Sequence, residues 1–248
     1  MNFSTQQPKS LPLFVRASEL LAREISAGHW QPGERIPTEA QLSGTLGMAV
    51  GTVRKALAEL ARRGLLERRH GSGTYVSGPK GVRGEPGGRQ RRNVYEFFRL
   101  ELAQVGGLPT ATLLDLRSVP KPEGEAAFGA SRSRTWYRVR RLRWLNETPA
   151  ALEEIWFDAR HRKNLKPADL NEALYLFYKE SLGFWIARVD DQVTVGAVPD
   201  WAPPEFALRP GQACGMIRRK SWSGADHIEE VSTTWFNPAV AHYAARWR

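Results

Sequence analysis

Residues 11–76 read LPLFVRASELLAREISAGHWQPGERIPTEAQLSGTLGMAVGTVRKALAELARRGLLERRHGSGTYV. Phe14, Ala17, Leu21 and Ile25 recur at three- and four-residue spacing, which predicts one apolar face of a helix from Leu13 to Gly28. Gln31-Pro32-Gly33-Glu34 is a turn. Thr38-Glu39-Ala40-Gln41 reads as a capping box, in which the Thr38 hydroxyl accepts from a free backbone N–H and Gln41 reaches back to Thr38. A short second helix follows with Leu42 and Leu46 inward, and Gly47 breaks it. A third runs from about Ala49 to Arg63 on a stripe of Val53, Leu57 and Leu60, and Gly64 ends it. Residues 65–69 and 74–76 are two short strands around a tip of His70-Gly71-Ser72-Gly73.

Three helices and a hairpin with a basic, glycine-rich tip make a winged helix-turn-helix. That shape lays one helix in a groove of double-stranded DNA. The charge agrees: Lys plus Arg number 36 against 26 for Asp plus Glu, a formal +10. Such an excess suits nucleic acid, anionic membranes or acidic ligands without choosing among them.

Downstream, residues 78–92 (GPKGVRGEPGGRQRR) are dense in glycine and proline and nearly free of apolar residues. Such a stretch cannot bury a core and is expected to be a flexible basic linker. Its glycines at 78, 81, 84 and 87 have a collagen-like period, but so few triplets give little triple helix. The domains are therefore expected at 11–77 and 93–248. Strands are expected at Thr135–Leu145, Ala150–Phe157, Gln192–Val198, Ala213–Trp222 and Ile228–Phe236, and a helix at Leu170–Leu182. The fold class is α+β, with a mostly antiparallel sheet in the second domain. Trp136, Trp144, Trp156 and Trp185 are expected mainly in its core.

Cys214 is the only cysteine, so neither an intrachain disulfide nor a cysteine zinc site is available, as suits a reducing cytoplasm. No signal peptide and no apolar run of membrane-spanning length is visible, so a soluble cytoplasmic protein without a membrane partner is expected. His29, His161, His227 and His242 lack metal-ligand spacing. Asp190-Asp191 and Glu229-Glu230 are adjacent acids on strands, whose side chains point to opposite faces. Gly71-Ser72-Gly73 has no following lysine and is no phosphate loop. No enzyme, metal or cofactor is expected.

Residues 11–76 resemble the GntR family of bacterial transcription regulators. The carriers are Pro12-Leu13-Phe14, Gly28, Pro32-Gly33, Arg35-Ile36-Pro37-Thr38-Glu39, Leu46-Gly47, Thr52-Val53-Arg54, Ala56-Leu57, Leu60, Gly64-Leu65-Leu66 and Gly71-Ser72-Gly73-Thr74-Tyr75-Val76. Residues from about 95 to 247 resemble the UTRA ligand-sensing domain of the HutC-type subfamily. There the carriers are Arg141-Leu142-Arg143, Pro149-Ala150-Ala151-Leu152-Glu153-Glu154, Leu174-Tyr175 and Ile228-Glu229-Glu230-Val231-Ser232.

For DNA, the resemblance points to Arg35, Thr38, Thr52, Arg54, Lys55, His70, Gly71 and Gly73. Arg54 lies early on the third helix, where a guanidinium can donate twice to guanine. An exposed arginine is ordinarily just solvated; here the complete module gives it a role. One departure stands out. The family's Ser-Arg-x-Thr is Ala49-Val50-Gly51-Thr52, so a helix cap and a DNA-contacting arginine are missing, and Lys55, Arg68 and Arg69 are candidates to offset them.

For the effector, the resemblance points to Arg141, Arg143, Glu153, Glu154, Tyr175 and Glu230. Arginine offers a rigid fork for carboxylate or phosphate. The plainer alternative is that both arginines are exposed strand residues paired with Glu153 or Glu154 across the sheet. The implied function is a ligand-responsive repressor, a homodimer on a near-palindromic DNA operator, switched by a small polar or anionic metabolite. Two rivals are an enzyme-fused regulator, for which too few residues remain, and a metal-binding helical sensor, which the strand-rich tail disfavours.

Overall fold

The computed structural model describes residues 10–77, 100–102, 109–121, 133–223 and 227–244. Residues 11–77 and residues 100–244 belong to two separate compact units. The basic linker expected at 78–92 lies outside the described residues.

In the first unit, α1 (Leu13–Ala27) closes on Gly28, whose φ of 81° lets its N–H return to Glu24 and Ile25 carbonyls. The helix α2 (Glu39–Leu46) starts with the expected capping box: Gln41 N–H donates to Thr38 Oγ1 at 3.3 Å, and Thr38 N–H donates to Gln41 Oε1 at 2.9 Å. Gly47 closes it with a φ of 62°. Next comes α3 (Val50–Arg62), whose N-cap Ala49 gives no side-chain hydrogen bond. Its buried stripe is Val53, Ala56, Leu57 and Leu60. These pack with Ala17, Leu20, Leu21 and Ala22 of α1, each buried. Phe14 and Ile25 are only half-buried, so the inward face of α1 is rotated from the expected one. Burying a leucine contributes about 1.5–3 kcal/mol, so this small apolar centre holds the unit together.

The wing is β1 (Leu66–Arg69) and β2 (Gly73–Val76), antiparallel with Leu66 opposite Val76 and Arg69 opposite Gly73. Arg35 makes an isolated bridge to Tyr75 beside it.

The second unit opens with β3 (Leu100–Leu102) and β4 (Pro109–Pro120), then β5 (Thr135–Leu145) and β6 (Thr148–Asp158). A helical segment follows, α4 (Leu174–Phe177) continued as a π-helical turn over Tyr178–Leu182. The remaining strands are β7 (Ile186–Ala197), β8 (Ala213–Ser223), β9 (Ile228–Phe236) and the short β10 (Ala241–Tyr243). Six strands form one antiparallel sheet in the order β4-β5-β6-β9-β8-β7, and β10 pairs with β3 separately.

Strand alternation gives this sheet two different faces. On one, Leu142, Leu152 and Cys214 pack with Val198 and Phe206, and Trp144, Trp201 and Trp235 lie against them. On the other, Tyr137 meets Phe157 with ring centroids 5.5 Å apart, and Phe157 meets Tyr178 at 5.3 Å. Trp136 is fully buried, whereas Trp185, expected in the core, is 40% exposed. The strand expected at 192–198 begins at Ile186, and the expected helix starts at Leu174 rather than Leu170. The strands β3, β4 and β10 were not among those expected. β3 and β10 span three residues each, and β4 carries a bulge between Leu113 and Asp115 that interrupts alternation.

Candidate functional site

Two groups of side chains stand out, one in each unit. In the first unit the third helix presents Arg54 and Lys55 to solvent, with Thr52 half-buried beside them. Arg54 Nε donates to Glu39 Oε2 at 2.8 Å, while its side chain stays 62% exposed. Arg68 comes to 3.8 Å of the other Glu39 oxygen and donates to the Arg54 carbonyl at 3.5 Å. Glu39, the first residue of α2, therefore aims the arginine of α3 from across the turn. Sequence reasoning passed over Glu39 because its partner lies 15 residues away.

The Thr38 hydroxyl is engaged in its own helix cap. At the wing, His70 and Gly71 are exposed, and Gly71 sits at a φ of 70°. Gly73 has a φ of 123°, and a Cβ built there would stand 2.7 Å from Arg35 Nε. The bare backbone of Gly73 thus makes the bed for the Arg35 guanidinium. Arg69 lies over the Tyr75 ring at 4.3 Å. Cationic side chains from the loop, the third helix and the wing share one small module. That is the arrangement phosphate contacts require.

The second unit buries charge. Arg141 is 5% exposed and Arg143 4%. Arg141 donates to Glu153 Oε2 from Nε at 3.0 Å and from Nη2 at 2.6 Å, and to the Glu172 carbonyl at 2.9 Å. Arg143 places Nε 3.9 Å from Glu153 Oε1 and donates to the same carbonyl at 3.5 Å. Burial alone would raise the Glu153 pKa, but the charges of Arg141 and Arg143 hold it below the usual carboxylate range.

On the same face of the sheet, Glu230 is 2% exposed. Tyr178 donates to its Oε2 at 2.6 Å, and Tyr175 and Ser221 donate to its Oε1 at 3.2 and 3.1 Å. Burial pushes its pKa up, against the hydrogen bond from Tyr178, the Arg219 charge and the hydrogen bond from Ser221. Register explains the meeting: Glu230 faces Phe157 on β6 and Ser221 on β8, while Glu153 faces Arg141 on β5. The helical segment supplies both tyrosines from above.

Arg141, Arg143, Glu153, Tyr175 and Glu230 thus come together, and Glu154 does not join them. It lies on the other face, where Arg140 donates to it at 2.6 Å and Trp156 at 3.1 Å. Glu229 likewise parts from Glu230, binding His161 at 2.7 Å and Arg160 at 2.7 Å. The cross-strand pairing weighed for the two arginines is present, with Arg141 opposite Glu153 and Arg143 near the same carboxylate, but both arginines are buried rather than exposed. Tyr178, Ser221 and Arg219 belong to the same cluster and were missed. Tyr178 sits three residues beyond Tyr175, a helical spacing that was available as a signal. Among the described residues no group of three His, Cys, Asp or Glu is placed to hold a metal, and no helix is long and apolar enough to cross a membrane.

A DNA-reading module and a buried polar cluster on a separate domain define a one-component transcription regulator. Comparison with known proteins gives the family. Residues 14–76 match the model for bacterial regulatory proteins of the gntR family, and residues 104–240 match the UTRA domain. The chain is 42% identical over 239 residues to the HTH-type transcriptional regulator SmoD of Agrobacterium fabrum, covering 96% of this chain and 97% of that one. It is 27% identical to the histidine utilization repressor of Pseudomonas aeruginosa, over 86% of this chain and 82% of the other. Among solved structures, Bacillus subtilis YydK shares the fold at a TM-score of 0.53 and 17% identity, covering 96% of this chain and 100% of that one. The chain belongs to the GntR family and carries a UTRA domain. It is a DNA-binding transcription regulator responsive to a small molecule.

Proposed function

We propose that the chain is a cytoplasmic homodimeric repressor that acts by binding and not by catalysis. Residues 11–77 read a near-palindromic operator, 78–92 form a basic tether, and 93–248 bind the effector and pair the two copies. Arg54 contacts bases, with Thr52 and Lys55 beside it. Arg35 contacts the backbone, and the wing tip of His70, Gly71 and Gly73 enters the neighbouring minor groove. Paired recognition helices then meet successive major grooves about 34–36 Å apart.

The effector is a small polar or anionic metabolite held by Arg141, Arg143, Glu153, Tyr175 and Glu230. The observation that carries this reading is the pair of buried guanidiniums sharing one buried carboxylate. Both lie on one face of the sheet with Tyr175 and Glu230, and a guanidinium offers a planar fork that fits a carboxylate or phosphate. The ligand changes operator affinity only through its preference for one of two states. The test is a thermal-shift screen of the full chain against metabolites, followed by gel shifts on a selected duplex with each hit. A binder that raises the melting point and changes duplex affinity, with both effects lost in Arg143→Gln, is expected. A binder equally effective on Arg143→Gln would refute the site.

A further inference from the structure

Two residues at the start of α3 are not asked for by the packing of the first unit. Val50, the first residue of the helix, is 38% exposed. Among the described residues of that unit, only Leu13 is another large hydrophobic side chain so open to water. Gly51 follows and is exposed too. A Cβ added there would meet nothing within 4 Å, and the backbone is helical. Neither space nor conformation therefore calls for glycine, and glycine weakens a helix.

Both residues belong to the face that carries Arg54. Val50, Gly51, Arg54, Lys55, Ala58 and Arg62 are exposed along α3, opposite the buried stripe of Val53, Ala56, Leu57 and Leu60. Residues four apart on a helix stand one above the other, so Val50 lies one turn before Arg54 on the same side. The first turns of such a helix are the part that meets base edges. The Val50 side chain has no donor and no acceptor, so it forms no hydrogen bond to a base. The major groove presents one apolar group, the C5-methyl of thymine. Valine suits it, because branching at Cβ holds its two methyl groups in one rotamer on a helix. Valine is also short, and the missing side chain at Gly51 lets the helix backbone come closer to the bases.

We propose that Val50 is a specificity-determining residue, which reads the methyl group of a thymine within about two base pairs of the guanine that Arg54 contacts. This rests on the reading of α3 as the helix that enters the groove, and adds to it the base that the first turn selects. The distance follows from the helix: four residues rise about 6 Å, close to two base-pair steps of about 3.4 Å. Cytosine carries only hydrogen at the same ring position, and leaves the valine facing a gap.

The test starts from a duplex that the full chain selects from a random pool. Each thymine is then replaced by deoxyuridine, which keeps the base pair and lacks only the methyl group. One thymine near that guanine should lose about fourfold in affinity, the effect of burying one methyl-sized group. At that position 5-methylcytosine should bind better than cytosine by a similar factor. Val50→Ala should bind thymine and deoxyuridine alike, with a melting point no lower, since the side chain is exposed and alanine favours a helix. Gly51→Ala should lower duplex affinity while raising the melting point; unchanged affinity would strike the close approach, and with it the reach of so short a side chain. Deoxyuridine that binds as well as thymine at every position within reach overturns the proposal, and so does a loss that persists in Val50→Ala. Arg54→Ala separates the failures. If it relaxes the guanine preference while Val50→Ala changes nothing, the methyl reading falls alone. If Arg54→Ala also leaves every preference in place, the placement of α3 in the groove falls with it.

Discussion

Replacing Glu153 with leucine should unfold the second unit at markedly lower temperature while leaving the first unaffected. The carboxylate has a 12% exposed side chain and is shared by two guanidiniums whose own side chains are 6% and 5% exposed. Glu153→Leu strands both charges away from water. Removing one member of a buried pair costs about 3–5 kcal/mol. In a domain of this size each kcal/mol lowers the midpoint by roughly 2–4 °C, so a fall of about 6–20 °C is expected. Tryptophan fluorescence can follow it, because Trp30 is the one tryptophan before Trp136 and the signal comes mainly from the second unit. The double variant Glu153→Leu/Arg141→Met should recover part of the loss, since an apolar replacement of both partners leaves no orphaned charge between them. The sign in acid follows from the lowered Glu153 pKa. A depressed folded-state value gives stability that is complete above the unfolded glutamate value of about 4.3 and is lost as pH falls through the lower folded value. Glu153→Leu should lose that part of the acid sensitivity. An unchanged midpoint, or a double variant no better than the sum of the two singles, would refute the reasoning.

Further outcomes are specific. Arg54→Ala should cost about 1–3 kcal/mol of base discrimination in competition gel shifts and leave the melting curve in place, because an exposed pair such as Arg54–Glu39 contributes at most about 1 kcal/mol. Gly73→Ala forces a side chain onto a φ of 123° and displaces Arg35, so duplex affinity should fall and salt dependence flatten; an unchanged salt slope would remove Arg35 from the phosphate contacts. Gly215→Ala puts a methyl group into the Phe236 ring and should destabilise the second unit by about 1–3 kcal/mol in urea titration.

The first unit was legible because its determinants are local. Thr38 and Gln41 are three residues apart, Gly28 and Gly47 stop the helices they follow, and the Leu66–Val76 pairing is fixed by a short tip. Each can be read within one or two turns of chain. The two-faced sheet was partly legible, since β5, β8 and β9 announce themselves by β-branched and aromatic runs. The bulged β4 and the short β3 and β10 carry no such pattern.

What the residues alone determined is therefore the identity of the DNA-reading module and most of the charged groups of the cluster. Tertiary structure decided which of Glu153 and Glu154 faces Arg141, because alternation puts the two on opposite faces but only the packing of the Tyr175–Tyr178 segment says which face is covered. It also decided that Arg219, Ser221 and Tyr178 join Glu230. Strand order and register bring together residues tens of positions apart, and no local pattern encodes that meeting.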